Sequence, residues 1–302
     1  MAYNYVDLST LATMVADQSL GKLKSSTVLP RIVNRNYEPV VARQGTAVDV
    51  PVRGALSVND KTSGNPVTLQ SVVDTKKTIT LDQHPEVSFV IEDPDAAMAS
   101  YEVLSGYMED AILALAERID ADIAGLWSGF SQVIVATGGL GEQHFRQAER
   151  YLNVAKARGE FWAVLHPDAF GEAKGIAEFI NRDYRGSTEI PALAQRPSWY
   201  MGVLNGFDTV LDQNIVQSTY NMNLFVHRDA AALVMRDLPI VPAGLGATQI
   251  RRNEDGMSLR VTLSYNADAL GLQCTVDALY GIAELRDSHA VVVKTAANPT
   301  YS

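Results

Sequence analysis

Residues 92–129 read EDPDAAMASYEVLSGYMEDAILALAERIDADIAGLWSG, and this stretch decides the architecture. Asp93 stands where an N-cap belongs, Pro94 fits the first helical position, and Asp95 complements the positive end of a helix dipole. Apolar side chains follow at Ala97, Tyr101, Leu104, Met108, Ile112, Leu115, Ile119, Ile123 and Leu126. Every step is three or four residues, so one stripe runs the whole length. Gly129 supplies a stop. The spacing predicts a helix of about 35 residues, a rod of roughly 50 Å at about 1.5 Å per residue. An ordinary globular helix has about 11–12 residues. A rod this long points to a flat or extended molecule.

Upstream of the rod, residues 5–20 read as a short amphipathic helix capped by Asp7, and residues 22–38 as an extended arm. The arm's scattered Val28, Leu29, Ile32 and Val33 need a surface, either the chain's own domain or a neighbouring subunit. Residues 46–52 alternate, with Val48, Val50 and Val52 on one face. Residues 69–81 return with Leu69, Ser71 and Val73 on one face and Ile79 and Leu81 beyond. The ten residues 57–66, SVNDKTSGNP, are dense in turn formers. The pattern predicts a long β-hairpin with a polar tip. An isolated two-stranded hairpin is marginal in water, so this one joins a larger sheet or rests on another molecule. Residues 87–91, VSFVI, read as a buried strand.

Downstream, residues 131–136, 161–165, 258–264, 272–276 and 290–294 read as strands. Residues 142–158 read as a helix stopped by Gly159, and 168–180 as one opened by His166-Pro167-Asp168. Residues 182–198 read as a loop. Short elements fall at 203–214, 223–226 and 231–235. Arg251 to Gly256 reads as a turn, with Asp255-Gly256 as a hairpin signal. There is no internal repeat.

The chain has 302 residues, enough for one large or two ordinary domains. It is 47% hydrophobic and 20% charged, with mean hydropathy −0.02, which excludes a disordered or low-complexity chain. It carries 25 Lys+Arg against 35 Asp+Glu, a net charge of −10, which argues against general nucleic-acid binding. Residues 1–56 are the exception, with six basic and four acidic side chains. Cys274 is the one cysteine, so no intrachain disulfide forms and a reducing compartment fits. No apolar run reaches membrane-span length, and the N-terminus lacks a basic start followed by an apolar core.

The candidate chemistry is thin. Gly138-Gly139-Leu140-Gly141 lies between a strand and a helix, the setting of a dinucleotide-binding turn. The third glycine position is His144, however, and no parallel βαβ series precedes it, so a linker between two lobes is the ordinary reading. His227-Arg228-Asp229 copies a kinase triplet without its downstream Asn or Asp-Phe-Gly. The five histidines, His84, His144, His166, His227 and His289, show no metal-ligand spacing. Glu92, Asp93, Asp95, Glu109, Asp110, Glu117, Asp120 and Asp122 read as a solvated acidic face beside Arg118, with Asp120 and Asp122 on different sides. No nucleophile elbow is present. The chain reads as a non-enzyme without a cofactor, and a nucleotide-dependent α/β enzyme using Gly138 to Gly141 stands as the contrary reading.

The order of parts carries more than any motif. GTAVDVPV (45–52), LDQHPEVSFVIEDPD (81–95), LAERIDADIAGL (115–126), FWAVLHPDAF (161–170) and YGIAELRDSHAVVVKT (280–295) together resemble the major capsid protein of tailed double-stranded DNA bacteriophages, the Hong Kong ninety-seven type shell fold. The resemblance implies an α+β fold with an N-terminal arm (20–38), an extended hairpin loop on a neighbouring subunit (48–81), a spine helix (95–126) and an axial domain (131 to about 246). In domain terms it implies helix and arm at 1–40, hairpin loop and peripheral strands at 41–92, spine helix at 93–130, axial domain at 131–250, and peripheral return strands with a C-terminal strand at 251–302. It implies self-assembly through pentamers and hexamers into an icosahedral shell around phage DNA, in a virion built in the host cytoplasm. Scaffolding, portal or decoration proteins become partners, with DNA touched only weakly and non-specifically and no membrane involved. An encapsulin-like nanocompartment shares the fold and remains open. Asn59, Asp60, Lys61 and Thr62 at the hairpin tip, with Arg31 and Arg35 on the arm, are the subunit-contact candidates. Some members of this fold cross-link a hairpin Lys to an Asn, and Lys61, Lys76 and Lys77 lie in that region; solubilising edge charges are their ordinary role.

Overall fold

The apolar run at residues 290–293 is buried on both sides, which makes it an interior strand of a sheet. A computed structural model describes residues 16, 23, 27–37, 47–52, 56–64, 66–67, 69–71, 75–92, 101–136, 138–176, 199–240, 247–254 and 257–297, with backbone alone for 52, 101–106 and 252–254. The main sheet has six strands in the order β4 (Val133–Ala136), β14 (Ala290–Ala296), β8 (Tyr220–His227), β5 (Phe161–Leu165), β7 (Phe207–Leu211) and β6 (Tyr200–Leu204). β14 runs parallel to β4 and antiparallel to β8, and β5 runs parallel to β7. Successive side chains on a strand face opposite sides. Val291 and Val293 accordingly join Phe145 and Leu152 of helix α2 (Glu142–Val154) and Phe170 of α3 (Pro167–Gly175). Ala290 and Val292 enter a second core on the other side, where helix α1 (Tyr101–Ala124) also lies.

That second core is shared with a four-stranded antiparallel sheet in the order β10 (Ala247–Glu254), β11 (Met257–Asn266), β12 (Gly271–Asp277) and β3 (Glu86–Glu92). Leu259, Val261, Leu263, Cys274 and Val276 meet the stripe Met108, Ile112, Leu115, Ile119 and Ile123 of α1, which confirms the periodicity. The described helix has 24 residues, about 36 Å at 1.5 Å each, and a 3-10 turn over Gly125–Gly129 completes it at the expected glycine. The expected cap at Asp93 to Asp95 lies outside the described residues, as do the 182–198 loop and most of the 5–20 helix.

A third cluster joins the N-terminal hairpin to the body. β1 (Ala47–Val52) pairs antiparallel with β2 (Thr75–Thr80), from Ala47↔Thr80 to Val52↔Thr75. Val48, Val50 and Ile79 pack on Ala232 and Val234 of β9 (Ala231–Arg236) and on Leu285, which follows β13 (Leu279–Glu284), the partner of β9. At Gly281 of β13 a Cβ would lie 2.2 Å from the Thr80 carbonyl oxygen, so only glycine admits the hairpin's root.

Several expectations need correction. The return strand of the hairpin starts at Thr75, not residue 69, and Leu69 and Ser71 are exposed outside any strand. β3 is an edge strand whose residues alternate between half-buried and exposed, rather than a buried one, because only its Phe89 face lies over α1. α2 stops at Val154, four residues short of the expected end: Lys156 takes the left-handed position (φ 59°), and the Ala157 N–H donates to Leu152 O at 3.0 Å. α3 ends at Gly175 rather than 180. Residues 251–254 belong to β10, and Glu254 faces Met257; the Asp255-Gly256 signal lies outside the described residues. The 203–214 element is split by Asn205 (φ 43°) and Gly206 (φ 80°), the left-handed pair of a two-residue hairpin turn. β13 went unread.

Candidate assembly surfaces

The root of the hairpin is buried, and the described residues of its far end are exposed. Its described far residues, 56–64, 66–67 and 69–71, carry no strand or helix, and their side chains are exposed. Leu56, Val58, Val67 and Leu69 are exposed by 65%, 94%, 63% and 89%. Scattered exposed apolar residues are ordinary, but here four fall within residues 56–69. The Ser57 N–H donates to Gln70 Oε1 at 2.9 Å, and the Gln70 amide donates back to the Ser57 carbonyl, so the two arms of the loop are held together. Asn59, Asp60, Lys61 and Thr62 stand together and exposed at this end. At the root, Lys76 pairs with Asp49 at 3.6 Å and Lys77 with Glu284 at 3.9 Å.

Arg31 and Arg35 are elsewhere, on the 27–37 segment, where Arg31 is exposed and Arg35 half-buried. Between the two surfaces offered to the arm, this part takes its own protomer. Leu29, Ile32 and Val33 are buried. A 3-10 turn, Leu29–Arg31, has no cap from its own side chains; Asp120 of α1 accepts the Val28 and Leu29 N–H groups at 3.1 Å instead. Asn34 then bonds β9 through both main-chain groups, at 3.0 Å to Ala231 O and 3.1 Å from Leu233 N, and its amide donates to Asp229 at 2.7 Å.

Asp120 therefore departs from the solvated face predicted for the helix carboxylates. It is 1% exposed, and burial followed by the charge of Asp212 pushes its pKa up to about 8, against the opposing pull of the Val28 and Leu29 amides. Burial also raises Asp212, whose partner within reach is the Asn214 N–H at 2.8 Å. Asp122 lies on another side of the helix, as expected, paired with Arg118 at 3.0 Å and accepting the Tyr280 hydroxyl at 2.7 Å.

The glycine turn is not a linker between lobes, because β4 and α2 on its flanks belong to one sheet-and-helix layer. The Leu140 N–H donates to Glu172 at 2.7 Å and the Gly141 N–H to His144 Nδ1 at 2.9 Å. The amides that would cradle a phosphate are thus engaged by the chain's own acceptors. His166 and His227 act as helix caps: each Nδ1 accepts the N–H two residues on, from Asp168 and Asp229. Burial lowers the pKa of His166, which keeps that nitrogen free to accept. Among the described residues no group of three His, Cys, Asp or Glu side chains is placed to hold a metal, and no helix is long and apolar enough to cross a membrane.

No family model and no curated protein matches the sequence. Solved structures do match. A chain of Mycobacterium phage Che8 superposes with a TM-score of 0.65 at 20% identity, covering 88% of this chain and 90% of that one. The capsid of cyanophage P-SCSP1u gives 0.61 at 16% identity, covering 84% and 85%. The holo-SrpI encapsulin complex of Synechococcus elongatus gives 0.57 at 12% identity, covering 91% and 89%. The α+β fold of this chain resembles that of the Hong Kong ninety-seven type capsid proteins over 84–91% of its length.

Proposed function

We propose that the chain is the major coat subunit of a tailed-phage capsid, assembling through pentamers and hexamers into an icosahedral shell around double-stranded DNA. The observation that carries this is the hairpin: a buried root, and a far end bearing four exposed apolar residues that the protomer does not cover. Identical copies cover such a surface head to tail, a heterologous contact that closes into rings. On this reading residues 20–38 are the arm, 48–81 the extended loop, 95–126 the spine helix and 131–246 most of the axial domain. The six-stranded sheet then sits near the ring axes, and the four-stranded sheet with α1 forms the periphery. Scaffolding, portal or decoration proteins are its partners, and assembly takes place in the host cytoplasm. The role is structural, without chemistry. The net charge of −10 keeps packaged DNA from adhering to the wall.

Negative-stain microscopy of the purified protein with sedimentation tests this. Closed shells, or rings of five and six, are expected. A monodisperse monomer or dimer, unchanged on concentration or with a scaffolding partner, refutes it. The likeness to an encapsulin favours a second reading, a nanocompartment shell. Nuclease-protected double-stranded DNA in native particles marks the capsid; a protein cargo without DNA marks the compartment.

A further inference from the structure

A cavity of about 500 Å³ opens where the 27–32 segment, α1 and the β6–β7 edge of the main sheet meet. That volume falls in the range of about 300–1,000 Å³ typical of small-molecule sites. Its aromatic wall is Trp162, Trp199 and Tyr200, and Trp199 is 43% exposed at the opening.

The charged groups facing it are Arg31, Glu117, Asp120 and Asp212. Asp212 is 2% exposed; one carboxylate oxygen accepts the Asn214 N–H, and Oδ2 is buried with no hydrogen-bond partner. A buried polar atom left unpaired is costly and calls for an explanation. Asp120, also buried, lines the same cavity, and no hydrogen bond joins the two carboxyl groups. Arg31 attracts Asp120 but is not among the groups acting on Asp212. That oxygen lacks a hydrogen-bond donor, and a cationic donor would both satisfy it and offset the acidic character of the cavity, which a neutral donor would not. A bare metal ion would leave the indoles without a contact, whereas an organic cation uses both them and the carboxylates.

We propose that this cavity binds a primary ammonium ion carried on a small apolar or aromatic body, with Asp212 as its counter-charge, Asp120 beside it and the indoles of Trp162 and Trp199 as its wall. One wall is the 27–32 segment, so the bound cation fastens that segment to the main sheet. Occupancy becomes a means of setting how firmly the segment is held before or during assembly.

The test uses the unassembled 302-residue chain, so its failure leaves the shell reading untouched. Phenethylamine, its uncharged analogue 2-phenylethanol, and calcium chloride are titrated against indole fluorescence and melting temperature. Phenethylamine is expected to bind saturably with Kd below about 10 mM, and the alcohol at least about tenfold more weakly. Asp212→Asn keeps the shape and removes the charge; it is expected to melt no lower than the parent and to weaken phenethylamine about tenfold or more. Should that variant not fold, Trp199→Ala at the exposed rim is expected to weaken binding with an unchanged melting temperature. Equal binding of the alcohol overturns the proposal. So does undiminished binding to the folded variant, absence of saturation by about 10 mM, or calcium that protects as well as the amine.

Discussion

Val50 and Val58 are the same residue type on the same hairpin, eight positions apart in sequence, with opposite surroundings. Val50 is 1% exposed against Val48, Ile79 and Val234; Val58 is 94% exposed. Truncation to alanine removes two methyl groups from each. At position 50 those groups are wholly inside, so the loss combines transfer and cavity terms, about 2 kcal/mol. For a chain of 302 residues that lowers the subunit melting temperature by roughly 3 °C. At position 58 almost nothing of the side chain is covered within the protomer, so the cost to the subunit is within about 0.5 kcal/mol. If a neighbouring copy covers Val58, the same truncation weakens each subunit contact by about 1–2 kcal/mol, repeated at every contact around a ring. Calorimetry of dissociated subunits, followed by sedimentation of the assembly reaction, separates the two. Val50→Ala is expected to melt early, and Val58→Ala to melt normally but assemble poorly. A subunit melting drop for Val58→Ala equal to that of Val50→Ala refutes the assignment of that surface to a neighbour.

Other outcomes follow from particular atoms. Gly281→Ala brings a Cβ to within 2.2 Å of the Thr80 carbonyl oxygen, and Gly271→Ala one to within 2.4 Å of the Ile91 oxygen. Both are backbone collisions, so each variant is expected to melt lower than the parent by more than an exposed Gly206→Ala, as read by thermal denaturation. Asp120 has its pKa raised from 3.8 to about 8, so the folded chain holds that proton more tightly than the unfolded chain does. Its stabilisation is full below about pH 4 and is lost as pH rises through about 8, so melting should be lower at pH 9 than at pH 6, and Asp120→Asn should flatten that slope. Cys274 is buried beside Met108 with its thiol pushed up to about 12, so iodoacetamide at pH 8 is expected to label it only after unfolding, as followed by mass spectrometry.

The elements legible in the sequence are those whose pattern is local and complete. The 3.6-residue stripe of α1 and the apolar runs of β5 and β14 needed no distant information. The start of β2 was misplaced because Leu69 continues an apolar alternation, and alternation records strand propensity without saying that a partner strand is present. Asn205-Gly206 was a readable hairpin signal that would have divided β6 from β7. Asp120 looked like one more charge on a charged helix. Its burial comes from Val28 and Leu29, 92 and 91 residues away, and from Asp212 beyond the sheet, a conjunction no window of sequence contains. The hairpin tip was legible as polar turn chemistry, but the exposure of Val58 and Leu69 beside it follows from where the chain leaves the body.

The position of β14 bears on the order in which the molecule can be made. Residues 290–296 follow every other described strand in sequence, yet they fill the slot between the edge strand β4 and β8 in the main sheet. During synthesis β4, some 150 residues earlier, leaves the ribosome with its partner edge vacant. The sheet stays open until the last strand emerges, and Val291 and Val293 then close the Phe145 core from one side while Val292 closes the α1 core from the other. A nascent chain therefore cannot complete the main sheet before residues 290–296 have left the ribosome.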